Sequence, residues 1–256
     1  ITVILSLNPE LVFSSDALQF SLDEGAEESE LDQGIEISSN FGPAFYKEID
    51  WTASTVSDWI SIISINGDTG SNGSFSLRLN KAELQEMENG EYAAEVVIKP
   101  NGSKAPSKII NISLVLDVNP RLFINKNSAS FLINNVTTEE QIKAEFHVTD
   151  NLGAVFEREI IWHIVEDLDW ITSSSQDGDN QYNTSFVLSI NKTALEKIDN
   201  GAYSGVVSLI PKNITDTTKN ISVEMNLDFP ELDFVSPYII VPSNNTNLVI
   251  KGKLLN

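Results

Sequence analysis

The residues best suited to chemistry sit in one loop and in its earlier repeat. Residues 176–183 read Gln-Asp-Gly-Asp-Asn-Gln-Tyr-Asn. Asp177 and Asp179, with Asn180 and Asn183, present hard oxygen atoms at close spacing, the donor type that calcium takes. The matching loop earlier in the chain offers Asn66, Asp68 and Asn72. Gly67 and Gly178 would permit a tight turn between the donors. The closing Glu of an EF-hand loop is absent, and Asp, Asn and Gly are also ordinary turn residues. A calcium site and a plain turn are therefore both open readings of the loop, and calcium is the one cofactor that the sequence suggests.

Binding of a sugar ring needs an exposed flat aromatic beside hydrogen-bonding groups. Tyr182 lies in such a setting. Phe41, Tyr46 and Tyr238 join it as aromatics without an aromatic counterpart in the other half of the chain. Trp51, Trp59, Trp162 and Trp170 could also stack on sugars. They recur at identical positions on apolar stretches, however, which is the signature of a core residue. The stretch 23–30, with five acidic residues, reads as a solvated, mobile loop, with binding of cations or of a basic partner as the other reading. His147 and His163 fall in strands of one half only. No catalytic triad, zinc site or phosphate-cradling loop is visible, and the chain is not read as an enzyme.

These residues are positioned by a repeat. Displacing the sequence by 111 residues lays 8–118 on 119–229 without a gap, at roughly 30% identity, as two copies of one unit would. Trp51, Trp59, Phe75, Gly90 and Tyr92 meet Trp162, Trp170, Phe186, Gly201 and Tyr203. Residues 1–7 match 112–118, so they read as the last strand of a preceding copy or as a first strand of the first domain. Residues 230–256 read as the start of a third domain. The expected order is thus two sandwiches, 8–118 and 119–229, with partial flanking repeats, a slice of a longer array.

Within a unit the apolar period is two, as in half-buried strands. Strands are expected near 11–14, 18–23, 33–39, 45–54, 59–64, 74–80, 91–99 and 108–118, the first two either separate or one strand broken by a kink. Such a series of short strands separated by Gly, Asn, Asp and Pro predicts an all-β sandwich. One stretch departs from it. Residues 81–88 and 192–199 are rich in helix formers, with Asn80 or Asn191 as cap and Asn89-Gly90 or Asn200-Gly201 as stop. A short helical crossing between two sheets is expected there. Tyr92 and Tyr203 are expected to anchor a strand end, as corner tyrosines do.

Composition narrows the partners. The 256 residues include 16 basic and 37 acidic side chains, for a net charge of −21. That excludes nucleic acid, which needs clustered Lys and Arg, and disfavours anionic membranes. The absence of cysteine removes disulfides, thiol catalysis and Cys-ligated zinc. No apolar run is long enough to cross a membrane. Nine Asn-x-Ser/Thr sequons, from Asn72 to Asn244, are read as incidental to an Asn-rich chain.

The series Trp51…Asp58-Trp59-Ile60…Asn89-Gly90-Glu91-Tyr92, repeated 111 residues later, resembles the BACON family of immunoglobulin-like modules found in secreted bacterial proteins. Residues 234–252 also resemble the opening of an IPT/TIG immunoglobulin-like domain. The first resemblance implies tandem immunoglobulin-like sandwiches on an exported bacterial surface protein. Its members include spacers, and the family name proposes carbohydrate binding. The expected role is a non-catalytic spacer or stalk, with binding of polysaccharide or of another surface protein as the alternative. The expected state is a monomer, with pairing through the end strands as a possible complication.

Overall fold

The computed structural model describes residues 8–42, 46–71, 73–236 and 249–253. The expectations for 1–7, and those resting on Asn72, Tyr238 and Asn244, lie outside the described residues. The chain divides into two compact units. The first holds the described residues up to Pro120 together with Asn151–Arg158; the second holds Arg121–Asp150 and the residues from Glu159 onward.

Each unit is a pair of sheets. In unit 1 the strands are β1 (Leu11–Phe13), β2 (Ala17–Asp23), β3 (Asp32–Ser39), β4 (Asp50–Ser54), β5 (Ile60–Ile62), β6 (Asn66–Asp68), β7 (Ser74–Leu79), β8 (Gly90–Asn101) and β9 (Lys108–Asp117). One sheet has the order β1-β3-β7-β5 and the other β2-β9-β8-β4-β6. Unit 2 repeats this with β10 (Leu122–Ile124), β11 (Ser128–Ile133), β12 (Lys143–Asp150), β13 (Ile161–Glu166), β14 (Ile171–Ser173), β15 (Asp177–Asp179), β16 (Ser185–Ile190), β17 (Gly201–Pro211) and β18 (Lys219–Leu227). Its sheets run β10-β12-β16-β14 and β11-β18-β17-β13-β15. The fold is all-β: two tandem immunoglobulin-like sandwiches. A further hairpin joins β19 (Glu231–Ser236) to β20 (Val249–Lys253).

Alternation of apolar and polar residues puts one face of each sheet inside. In β9 the residues Ile110, Ile112, Leu114 and Leu116 are all buried, while their neighbours face out. Trp51 and Trp162 are fully buried, and Trp170 nearly so; Trp59 packs half-buried on the unit 1 core. All four tryptophans are thus framework residues, as their repetition indicates. Unit 2 adds a stacked ring pair, Phe146 on Phe186 at 5.1 Å, with Trp162 tilted against Phe186 at 5.5 Å.

Three expectations need correction. The chain between β1 and β2 is more than a kink. β1 pairs with β3 in one sheet, whereas β2 pairs in parallel with β9 in the other. Ser14-Ser15-Asp16 therefore carries the chain from sheet to sheet, with Ser15 Oγ donating to the Ala17 carbonyl at 2.7 Å. The fourth strand begins at Asp50, and the described residues 46–49 before it are irregular. The acidic stretch is ordered: Glu28–Leu31 forms a 3-10 turn, Ala26 and Leu31 are buried, and Arg78 and Lys81 lie 3.4 Å from the Glu28 carboxylate.

The helical crossings are as expected, though short. α1 (Lys81–Glu86) follows Asn80, whose side chain accepts the Ala82 N–H. α2 (Lys192–Leu195) follows Asn191, which accepts the Thr193 N–H. Each carries the chain from one sheet to the other. Asn89 then clamps Val118 by two amide hydrogen bonds of 2.8 and 3.1 Å, and Asn200 clamps Phe229 in the same way. The tyrosine hydroxyls donate to carbonyls four residues upstream, Tyr92 to Glu88 and Tyr203 to Asp199.

Candidate functional site

The 176–183 segment begins as a strand and ends as a loop. β15 pairs with β13, setting Trp162 opposite Gly178 and His163 opposite Asp177. A side chain at 178 would place its Cβ 2.0 Å from the Trp162 ring. Gly178 is therefore glycine to make room for a buried indole, not to turn the chain. Gly67 faces Trp51 in the same register. This role is a cross-strand fact, and only the repeated Trp and Gly at fixed separation could have signalled it.

The carboxylates in these loops have partners of their own. Asp179 is buried, and its Oδ1 accepts the backbone N–H groups of Gln181, Tyr182 and Asn183. The Asn183 side-chain amide donates to its Oδ2. Burial raises the pKa of this carboxyl, but the N–H donors of Tyr182, Gln181 and Asn183 together outweigh burial and hold it below the ordinary value. Asp68 acts likewise in unit 1: Oδ1 accepts from Gly70 and Ser71 at 2.7 and 2.6 Å, and Oδ2 from the Ser71 hydroxyl. Asp177 contacts His163 Nδ1 at 2.7 Å. Asn180 accepts the Ile160 N–H and donates to Asp150. Asn66 is exposed on β6. The loop oxygens nominated for calcium thus knit the loops to themselves and to the sheet. Among the described residues no three His, Cys, Asp or Glu side chains form a group able to hold a metal.

The nominated aromatics are spread over different settings. Tyr182 is 83% exposed at the tip of its loop. Tyr46 is half exposed, with its hydroxyl donating to the Thr69 carbonyl at 3.2 Å. Phe41 packs on the unit 1 core and is half-buried. His147 lies 3.8 Å from Glu145 on the surface of β12.

A different feature stands out in unit 2. Ile133, Thr137, Ile142, Leu195, Glu196 and Phe229 line a pocket of about 460 Å³ at one end of the sandwich. Its floor is the apolar interior, and its rim carries Glu139 and Lys192, which form an ion pair. Because of that contact with Lys192, the Glu139 carboxyl sits below its usual pKa. Little in the sequence period marks this end, because apart from Ile133 at the close of β11 its residues come from a turn, a short helix and a linker. Among the described residues no helix is long and apolar enough to cross a membrane.

No protein-family model matches the chain, and no curated protein matches it. Solved structures similar to it include a protein of unknown function from Porphyromonas gingivalis, at 12% identity and a TM-score of 0.31, over 85% of this chain and 99% of that one. Cadherin-like domains 1 to 4 of zebrafish RET match at 11% identity and a TM-score of 0.38, over 86% of this chain and 51% of that one. A xyloglucanase of Bacteroides ovatus in complex with a heptasaccharide matches at 23% identity and a TM-score of 0.27, over 42% of this chain and 19% of that one.

Proposed function

We propose that the chain is a non-catalytic spacer on an exported bacterial surface protein, built of modules that carry a distant functional domain. The observation that carries this reading is the parallel pairing of the strands at the two ends of each unit. β2 runs parallel to β9 over Ala17–Asp23, and β11 runs parallel to β18 over Ser128–Ile133. A chain whose first long strand and last strand point the same way enters a sandwich at one end and leaves at the other. Supporting this, the tryptophans are spent on the cores and the loop carboxylates on loop amides. The acidic surface, at −21, favours solubility and keeps copies apart.

Carbohydrate capture is the alternative, and Tyr182 is the residue that favours it. Its ring projects beside Gln181 and Asn183. Affinity electrophoresis through a panel of soluble polysaccharides, with and without calcium, tests the two readings. The spacer reading expects equal migration in every gel. Retardation by one glycan, lost in Tyr182→Ala, would overturn it in favour of binding. Retardation only with calcium, lost in Asp177→Asn, would make the loop a metal site.

A further inference from the structure

The pocket at the end of unit 2 has a counterpart in unit 1, and there it is filled. Shifting its lining by 111 residues gives Leu22, Ala26, Leu31, Leu84, Gln85 and Val118. Val155 and Phe156, from the unit 1 segment Asn151–Arg158, share one core with the apolar members of that set and are 0% and 5% exposed. Main-chain bonds fix the segment. Gly153 N–H donates to the Glu24 carbonyl at 2.7 Å, and Val155 N–H to that of Ala26 at 3.1 Å. The Gln85 side chain donates to the Val155 carbonyl at 2.8 Å, and the Asn151 amide to the Glu24 carboxylate at 2.7 Å. A Cβ on Gly153 would lie 2.3 Å from the Gly25 carbonyl oxygen, so the approach needs glycine.

The frame that receives this segment is repeated in unit 2. Ala26 N–H donates to the Asp23 carbonyl at 3.2 Å, and Thr137 N–H to that of Asn134 at 3.3 Å. Glu30 N–H donates to the Glu27 carbonyl at 3.0 Å, and Gln141 N–H to that of Thr138 at 3.2 Å. The turn that presents the Glu24 and Ala26 carbonyls in unit 1 therefore presents those of Asn135 and Thr137 in unit 2. A lysine spans the rim in both, Lys81 to Glu28 and Lys192 to Glu139. The residues that differ still fit. A Cβ at Gly25 would stand 3.9 Å from the Asn151 carbonyl oxygen, ordinary contact, so the Cβ of Val136 is tolerated at that place. The Thr137 hydroxyl is turned to its own chain and donates to the Leu132 carbonyl. Gln85, Glu88 and Arg158 line one cleft beside Phe156 in unit 1; Gln85 and Glu88 become Glu196 and Asp199 in unit 2. Two carboxylates where unit 1 has one favour a cation at the place of Arg158.

We propose that the unit 2 pocket is the seat of a segment with the chemistry of 151–158, supplied by a further module of this repeat standing next in series. That chemistry is an Asn-x-Gly stretch, then an aliphatic residue, a Phe and, two places on, a cation. The aliphatic residue and the ring cover Ile133, Ile142 and Leu195, as Val155 and Phe156 share a core with Leu22, Leu31 and Leu84. The cation pairs with Glu196, which cannot donate to a main-chain carbonyl as Gln85 does. Phe229, 36% exposed, is enclosed. Burial of one ring and one aliphatic side chain is a modest drive. It suffices within a chain, where the tether supplies a millimolar effective concentration. The inference rests on the reading of modules in series and adds to it what completes each core.

The cysteine-free sequence allows a thiol test. Leu195→Cys puts a single thiol at the half-buried edge of the pocket, where a maleimide can reach it. The chain is then extended by a second run of residues 119–229 placed directly after Phe229. This sets a 151–158 segment in the register that it has toward unit 1. A seat closed about nine-tenths of the time slows labelling about tenfold, and that slowing is the expected result. Phe156→Ser in the added run is expected to restore the rate. Unchanged labelling, or slowing that survives Phe156→Ser, overturns the proposal. A second measurement uses the chain at its own length. The free peptide of residues 151–158, at millimolar concentration, is expected to slow labelling of Leu195→Cys more than its Phe156→Ser and Arg158→Glu forms do. Equal slowing by either altered peptide, or none by any of the three, counts against the seat. Neither measurement bears on migration through polysaccharide gels, so this inference and the spacer reading fail separately.

Discussion

At one end of unit 1 the apolar interior is closed by Val155 and Phe156; at the matching end of unit 2 it is open among the described residues. The positions are the same, and their burial differs accordingly. Leu84 is 1% exposed, while its counterpart Leu195 is half-buried. Val118 packs on the unit 1 core, while Phe229 is 36% exposed. The local chain is alike in both, with the same Asn cap before the helix and the same amide clamp on the strand that follows. The difference therefore comes from one added segment, not from a change in the sandwich. A unit of this repeat does not finish its own core. The two sheets bury their facing sides, but the end bounded by the short helix is closed by residues from outside the repeat's own register.

The contrast is broken most severely by removing the plug. Phe156→Ala is expected to destabilise unit 1 by about 3–5 kcal/mol, lowering its calorimetric transition and leaving that of unit 2 in place. Equal lowering of both transitions, or of neither, would refute the assignment of this ring to the unit 1 core. A smaller effect separates the two helices. Leu84→Ala removes a fully enclosed side chain and should cost about 2–4 kcal/mol, whereas Leu195→Ala, already facing solvent in part, should cost about 1 kcal/mol. Equal losses in urea titrations of the two variants would mean that the open end is as tightly packed as the closed one.

The smallest expected effect concerns the β15 loop. The Asp179 carboxyl has a folded pKa below its unfolded value. Its contribution to stability is thus present above the unfolded value, about 4, and is lost as the pH falls through the lower folded value. Asp179→Asn should cost about 1 kcal/mol at neutral pH and flatten the decline of the unit 2 transition on acidification below about pH 4. An unchanged acid profile would show that the loop amides do not depend on the charge.

Much of this was legible in the residues. The 111-residue register, the apolar period of two, the Asn caps and the paired tyrosines each follow from local chemistry, and each is found. What escaped were features decided by distant partners. Residues 66–68 and 177–179 carry Asn, Gly and Asp, the vocabulary of turns, yet pair as short strands because a tryptophan on the facing strand needs the space above glycine. That the Asp68 and Asp179 oxygens accept N–H groups of their own loops was likewise not visible in the oxygen pattern that suggested calcium. The 151–158 segment has no period at all. It is irregular backbone whose order comes from the surface it meets, and a sequence read one strand at a time has no means of naming that surface.

The parallel pairing of β2 with β9 has a mechanical meaning. Seven consecutive residues of β2, Ala17–Asp23, lie in register with 111–117. Tension applied to the two ends of the unit acts along these strands in opposite directions. The ladder is then loaded in shear, all of its hydrogen bonds bearing the force together, rather than peeled open one bond at a time. β11 and β18 are arranged in the same way through Ser128–Ile133. A module tethered at both ends would resist rupture through its least yielding direction, with the short β1–β3 pairing ahead of the long ladder that ties its opening long strand to its closing one.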